Sequence, residues 1–191
     1  MSNLYLLNLL ENEVNASIIN RQKVANIVLK DENLHRELIK ITFYVTEEIS
    51  IKAVWVLEWI CTHYTIDIVL KNIDEFTENI KFVKFDSAAR ACSKICELLA
   101  VNFDTKKVLC LDNNHILKIT ETCFDWLISD QKTAVKAYAM TTLFIFGKKQ
   151  KWIHESLKHL IETKIIFESK GTKARGKNVL LAIEKHRKSR S

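Results

Sequence analysis

The chain has 191 residues, no proline, three glycines (Gly147, Gly171, Gly176) and a formal charge of +6. That composition excludes collagen-like, proline-rich and Gly/Ser-rich classes, and three glycines so placed cannot write a GxGxxG fingerprint or a GxSxG nucleophile elbow. At 48% hydrophobic and 27% charged, it reads as a folded chain long enough to bury a core.

Without proline, and with glycine so scarce, turns fall to Asn, Asp, Ser and Thr, which also cap helices. Apolar residues recurring at i, i+3, i+4 and i+7 between such caps predict ten helices. They fall near residues 3–12, 16–30, 32–45, 48–64, 67–82, 86–101, 114–129, 131–147, 151–166 and 172–187. The first, in the N-terminal stretch Met1 to Leu10, reads as an amphipathic helix and not a secretory leader. Thr46-Glu47-Glu48 predicts a helix start, as do Asp86, Asn113 or Asn114, and Ser129 or Asp130. The helix from Asp86, with Ala88, Ala89, Cys92, Ile95, Leu98 and Leu99, is expected to be deeply enclosed. Residues 102–114, including Val108-Leu-Cys-Leu111, read as a longer loop packed on the solenoid edge, or as a short extra helical turn. Lys164-Ile-Ile-Phe167 is the best strand candidate, but a lone strand has no partner. The longest apolar stretch, Ala137 to Gly147, is far short of the roughly 20 residues a membrane span needs. All-α is the expected class.

Five cysteines (61, 92, 96, 110, 123) make an odd number and mostly sit in apolar stretches, which fits reduced thiols in a cytoplasmic protein. Cys92 and Cys96 share a helix face, but nothing nearby completes a zinc site, so neither metal nor cofactor is expected. Gly171-Thr-Lys-Ala-Arg-Gly-Lys-Asn178 resembles a phosphate-binding loop. Asn178 replaces its magnesium-ligating hydroxyl, and too little chain follows for the parallel sheet that such a loop serves. Glu121, Asp125 and Asp130 read as a solvated helix face, and Trp55 and Trp59, beside Val54, Leu57 and Ile60, as core.

Four helix starts share a basic residue followed by a small one: Lys52-Ala53, Arg90-Ala91, Lys136-Ala137 and Arg175-Gly176. Eight residues after each basic residue comes Ile60, Leu98, Phe144 or Ile183, and Lys23 begins a degenerate earlier copy. A period near 40 residues with two helices per unit is the pattern of stacked helical repeats. The segments Asp86–Cys92 and Lys132–Tyr138 carry the likeness best, and they resemble HEAT-like repeats. The resemblance implies a single domain over residues 1–191, a right-handed α-α superhelix of about five helix pairs closed by a basic C-terminal cap.

The net charge is unevenly placed: residues 1–130 carry −5 and residues 131–191 carry +11. A basic footprint of this kind draws acidic partners or phosphate backbones. The expected contact residues are Lys136, Lys148, Lys149, Lys151, Lys173, Arg175, Lys177 and Arg187. The resemblance bears on architecture only; with the basic C-terminal third, the expected function is a non-enzymatic binding module that presents a helix-lined concave face to a protein partner. The alternative is a nucleic-acid-binding HEAT-like protein, such as a glycosylase of alkylated DNA bases, with Trp126, Trp152, Asp125 and Asp130 near the base. No catalytic constellation is written in the sequence, and the oligomeric state is open.

Overall fold

A computed structural model of the chain describes residues 2–105 and 111–189. Every regular element among them is helical: α1 (Ser2–Glu13), α2 (Ile18–Val28), α3 (Glu32–Thr42), α4 (Ile49–His63), α5 (Asp67–Leu70), α6 (Ile73–Asn79), α7 (Asp86–Asp104), α8 (Asn113–Ile128), α9 (Thr133–Gly147), α10 (Lys151–Thr163) and α11 (Lys170–Lys188). Single 3₁₀ turns follow α6 (Ile80–Phe82) and α10 (Ile165–Phe167). No helix among the described residues is long and apolar enough to cross a membrane.

The chain divides into two compact units, Met1–Leu98 and Leu99–Ser191. In the first, α4 is central and packs against α1, α2 and α3. Its Ala53, Val54, Val56, Leu57 and Ile60 are fully buried, facing the stripe Leu34, Leu38, Ile39 and Ile41 of α3. In the second, α9 is central, against α8, α10 and α11. Val135, Ala139, Met140 and Leu143 of α9 are enclosed, as expected of a helix that is apolar on most of its faces. On α7, Ala88, Ala89, Cys92, Ile95 and Leu99 are buried as the pattern predicts, although Leu98 is only half-buried.

Several local expectations shift for identifiable reasons. The predicted fifth helix breaks at Asn72, whose side-chain amide donates to the Ile68 carbonyl at 2.9 Å and competes with the backbone ladder. Thr46-Glu47-Glu48 lies ahead of α4, not in its first turn, and the Glu47 carbonyl accepts from the backbone and hydroxyl of Ser50. Asp112, not an asparagine, caps α8, in a reciprocal pair with His115. Lys132 precedes α9, while Ser129 closes α8. The strand candidate at 164–167 is the 3₁₀ turn that buries Ile165 and leaves Phe167 exposed. The loop expected at 102–114 begins inside α7, and Leu111 is buried; residues 106–110, Cys110 among them, lie outside the described residues.

Cys61, Cys92, Cys96 and Cys123 are buried, and none of the four is in a disulfide. Burial pushes the Cys92 thiol up to about 12, and those of Cys61 and Cys123 also well above the usual range. The thiolate is the reactive form, so iodoacetamide should leave these four unmodified in the folded protein and label them on unfolding. Peptide mass spectrometry reads the result, and labelling of any of the four at the unfolded rate would contradict their enclosure.

Candidate functional site

The basic residues fall into two groups with different work. The first group is the repeat positions themselves. Lys52 Nζ donates to the Glu11 carbonyl at 2.6 Å, across 41 residues. Arg90 Nη2 reaches Glu58 Oε2 at 3.1 Å, across 32. Lys136 Nζ meets Glu168 Oε1 at 2.5 Å, also across 32, and Arg175 Nε donates to the Ala137 carbonyl at 3.5 Å, across 38. Each long cation therefore ties its helix to a segment about one period away within the same unit. The small residue that follows gives room for close packing. A Cβ on Gly176 would stand 3.0 Å from Ile161 Cγ2 and 3.1 Å from Ile165 Cγ2.

This overturns one expected contact residue and demotes another. Lys136 is 2% exposed and ion-paired, so it lies inside the second unit, not on a surface open to a partner. Arg175 is half-buried against α9. Lys164, at the end of α10, donates to the Ile128 carbonyl and so closes the C-terminus of α8.

The second group surrounds a cavity. The turn from α9 into α10 brings Lys148, Lys149 and Lys151 together with Arg187 from the last turn of α11, around a pocket of about 470 Å³. Gly147, His154, Glu155 and His186 complete the lining. Four of the eight expected contact residues thus converge, against one carboxylate in the wall. Lys148 is held at 2.5 Å by Asp104, and Lys151 at 3.4 Å by Glu155. Lys149 is exposed, with its ammonium 4.0 Å from the centre of the Phe103 ring. Lys173 and Lys177 are on α11 but do not line this pocket.

Two histidines that sequence separates by 32 positions form the inner wall. His154 is 4% exposed, and its ring stacks on Phe144 at 5.4 Å. Its Nε2 lies 2.7 Å from the Phe144 carbonyl, which can only accept, so Nε2 carries the proton. Burial holds the His154 pKa below the usual histidine range, and the charges of His186, Arg187 and Lys148 push the same way against the Phe144 hydrogen bond. The His186 ring meets His154 edge-to-face at 5.7 Å, and its own Nε2 is enclosed with no hydrogen-bond partner. Gly147 makes this possible, since a Cβ there would stand 2.0 Å from His154 Cδ2.

Known proteins offer no counterpart: no family model, no curated protein and no solved structure matches the chain. The site is therefore read from its own chemistry.

A second cavity, of about 420 Å³, shares Lys149 and is lined by apolar Phe103, Leu111, Ile116 and Phe146 and by polar Asp112, Asn113 and Gln150. Trp152, 45% exposed, follows Lys151 and has its ring 6.2 Å from that of Phe124. Apolar and basic surfaces thus adjoin at the start of α10.

The residues named for a base-excision site are not assembled into one. Trp126 is 5% exposed, whereas Asp125 and Asp130 are exposed and line none of the cavities described here. Gly171–Asn178 lies inside α11 and forms no phosphate-binding loop. In the first unit, Trp55 and Trp59 are not core as expected. With Arg21, Glu58, His63 and Arg90 they line a smaller cavity of about 160 Å³. Arg21 stands 4.6 Å over the Trp55 ring, and burial pushes the Glu58 carboxyl up despite Arg90 and Arg21. The sequence signal for that notch was the break in the α4 pattern, where Glu58 separates Leu57 from Trp59.

Proposed function

We propose that the chain is a HEAT-like stack of five helix pairs, a non-enzymatic cytoplasmic module that binds an acidic protein partner through the α9–α10 corner. The convergence of Lys148, Lys149, Lys151 and Arg187 on one cavity carries this reading. The apolar side chains of the neighbouring cavity (Phe103, Leu111, Ile116, Phe146) and exposed Trp152 support a protein partner, since such interfaces pair an apolar centre with a polar rim. The pairs would be α1–α2, α3–α4, α5/α6–α7, α8–α9 and α10–α11, with the Lys52, Arg90, Lys136 and Arg175 cross-links as the recurring tie. Buried thiols outside any disulfide fit a reducing compartment. A nucleic-acid duplex asks for a longer basic track, and the inward turn of Lys136 and Arg175 removes two of its members.

Fluorescence anisotropy with a labelled glutamate-rich peptide tests the reading. The peptide should bind, weakening as salt rises, and Lys149→Glu with Arg187→Glu should lower its affinity about ten-fold or more, a loss of roughly 1.4 kcal/mol. Absence of peptide binding, or tighter binding of duplex DNA or single-stranded RNA at equal salt, would overturn it.

A further inference from the structure

The pocket is more cationic than one carboxylate requires. A carboxylate is a single negative charge with two oxygens in a plane. The lining here presents four cations from two separate elements, the α9–α10 turn and the end of α11, and the carboxylates of Asp104 and Glu155 that hold Lys148 and Lys151 offset only two of them. A phosphate monoester carries about −1.5 to −2 at neutral pH and three strong acceptor oxygens, and is matched by such a cluster where a carboxylate is not.

Two further observations point the same way. The first turn of α10 has no side-chain cap: Gln150 precedes the helix, and its Oε1 accepts instead from Trp152 Nε1 at 3.0 Å. Backbone donors and the positive end of the helix dipole therefore sit beside the lysines. Next, His186 Nε2 is enclosed in the wall and has no hydrogen-bond partner. With its proton on Nε2, that imidazole gains a hydrogen bond when an oxyanion arrives behind the ring of cations. A buried polar atom left without a partner costs about 1–3 kcal/mol, so a ligand that recruits one is favoured.

We infer that the α9–α10 pocket is a phosphate-monoester site that receives a phosphorylated side chain of the acidic partner, an inference that rests on the partner reading above. The cavity is large enough for a side chain as well as its phosphate. The adjoining cavity, half apolar and half polar in its lining, and Trp152 offer contact to the flanking residues of a peptide.

The test uses one fluorescein-labelled peptide, Glu-Glu-Leu-Ser-Leu-Glu-Glu, with the serine unmodified, phosphorylated or replaced by glutamate. Free O-phosphoserine and inorganic phosphate serve as competitors. The phosphopeptide should bind the full chain at least ten-fold tighter than the glutamate peptide. O-phosphoserine should compete only at far higher concentration, and phosphate should shift the ring nitrogen resonances of His154 and His186. Lys149→Ala with Arg187→Ala should reduce the phosphopeptide to the affinity of the glutamate peptide. If phosphorylated and glutamate peptides bind equally, the phosphate assignment fails and the acidic-partner reading survives. If neither binds, both fail. If O-phosphoserine binds as tightly as the phosphopeptide, the pocket serves a small phosphate ester, and the partner part of the inference is overturned. The competition and resonance measurements use the unaltered protein, so they stand even if the double variant does not fold.

Discussion

Replacing Glu168 with alanine should destabilise the second unit by about 3 kcal/mol, the order found when one partner of a buried ion pair is removed. The reason is an asymmetry in the Lys136–Glu168 pair. The lysine side chain is 3% exposed and the glutamate 25%. Without Glu168 the ammonium is stranded away from water, whereas without Lys136 the carboxylate can still hydrate. Lys136→Met should therefore cost roughly 1 kcal/mol, because the methionine fills the space of the lysine stem and leaves no buried charge. Glu168→Ala combined with Lys136→Met should recover most of the loss of the first change alone. In thermal unfolding the single Glu168 change should lower Tm by roughly 6–12 °C, at about 2–4 °C per kcal/mol for a chain of this size. Equal and small effects of the two single changes would mean that Lys136 is a surface lysine after all.

Gly147→Ala makes a prediction whose sign is diagnostic. Helix propensity alone favours the change, though by less than the roughly 1 kcal/mol of a helix interior, since Gly147 is the last residue of α9. Packing opposes it, because the new Cβ would fall 2.0 Å from His154 Cδ2 and 2.6 Å from Nε2. The ring has no easy escape, being stacked on Phe144 and hydrogen-bonded to its carbonyl. Losing those contacts costs about 1 kcal/mol for the hydrogen bond and about 0.5–1.5 for the aromatic pair. Disturbed packing around the displaced ring adds to that, for an expected net loss of about 2 kcal/mol. The double change Gly147→Ala, His154→Ala should show strong coupling, with the glycine replacement nearly neutral once the ring is gone. A stabilised Gly147→Ala protein would show that His154 is not packed against this glycine.

The helices were legible because 3.6-residue periodicity is local. Their caps were less so: Asp31 and Ser169 accept from backbone N–H groups of the first turns of α3 and α11 but were not among the expected starts, and Asp112 took the place of the expected asparagine at α8. The break at Asn72 was less visible, because asparagine is tolerated in helices and only its bond to the Ile68 carbonyl shows the competition. The repeated basic positions were legible as a pattern, but their role was not. A lysine or arginine beside a small residue looks the same whether its charge meets solvent or a carboxylate 32 residues away. Lys136 was misplaced for that reason. Trp55 and Trp59 were misplaced because i,i+4 aromatic spacing marks a face without telling which side of the helix is covered. The pocket was half legible. The lysine cluster at 148–151 stands in the sequence, but Arg187 and the His154–His186 contact appear only when α11 packs beside α9 and α10.

The central claim is that the cavity at the α9–α10 corner, and not the basic third as a whole, is the anion contact. Two charge reversals of equal size separate these alternatives: Lys149→Glu with Arg187→Glu inside the pocket lining, and Lys173→Glu with Lys177→Glu outside it, both on exposed or half-exposed positions. The measurement is the Kd of the glutamate-rich peptide for each variant at one ionic strength. A loss of about ten-fold or more for the first pair and less than about three-fold for the second is the expected result, since long-range charge is screened beyond about 8–10 Å. Equal losses for the two pairs would contradict the account and leave only a diffuse positive surface.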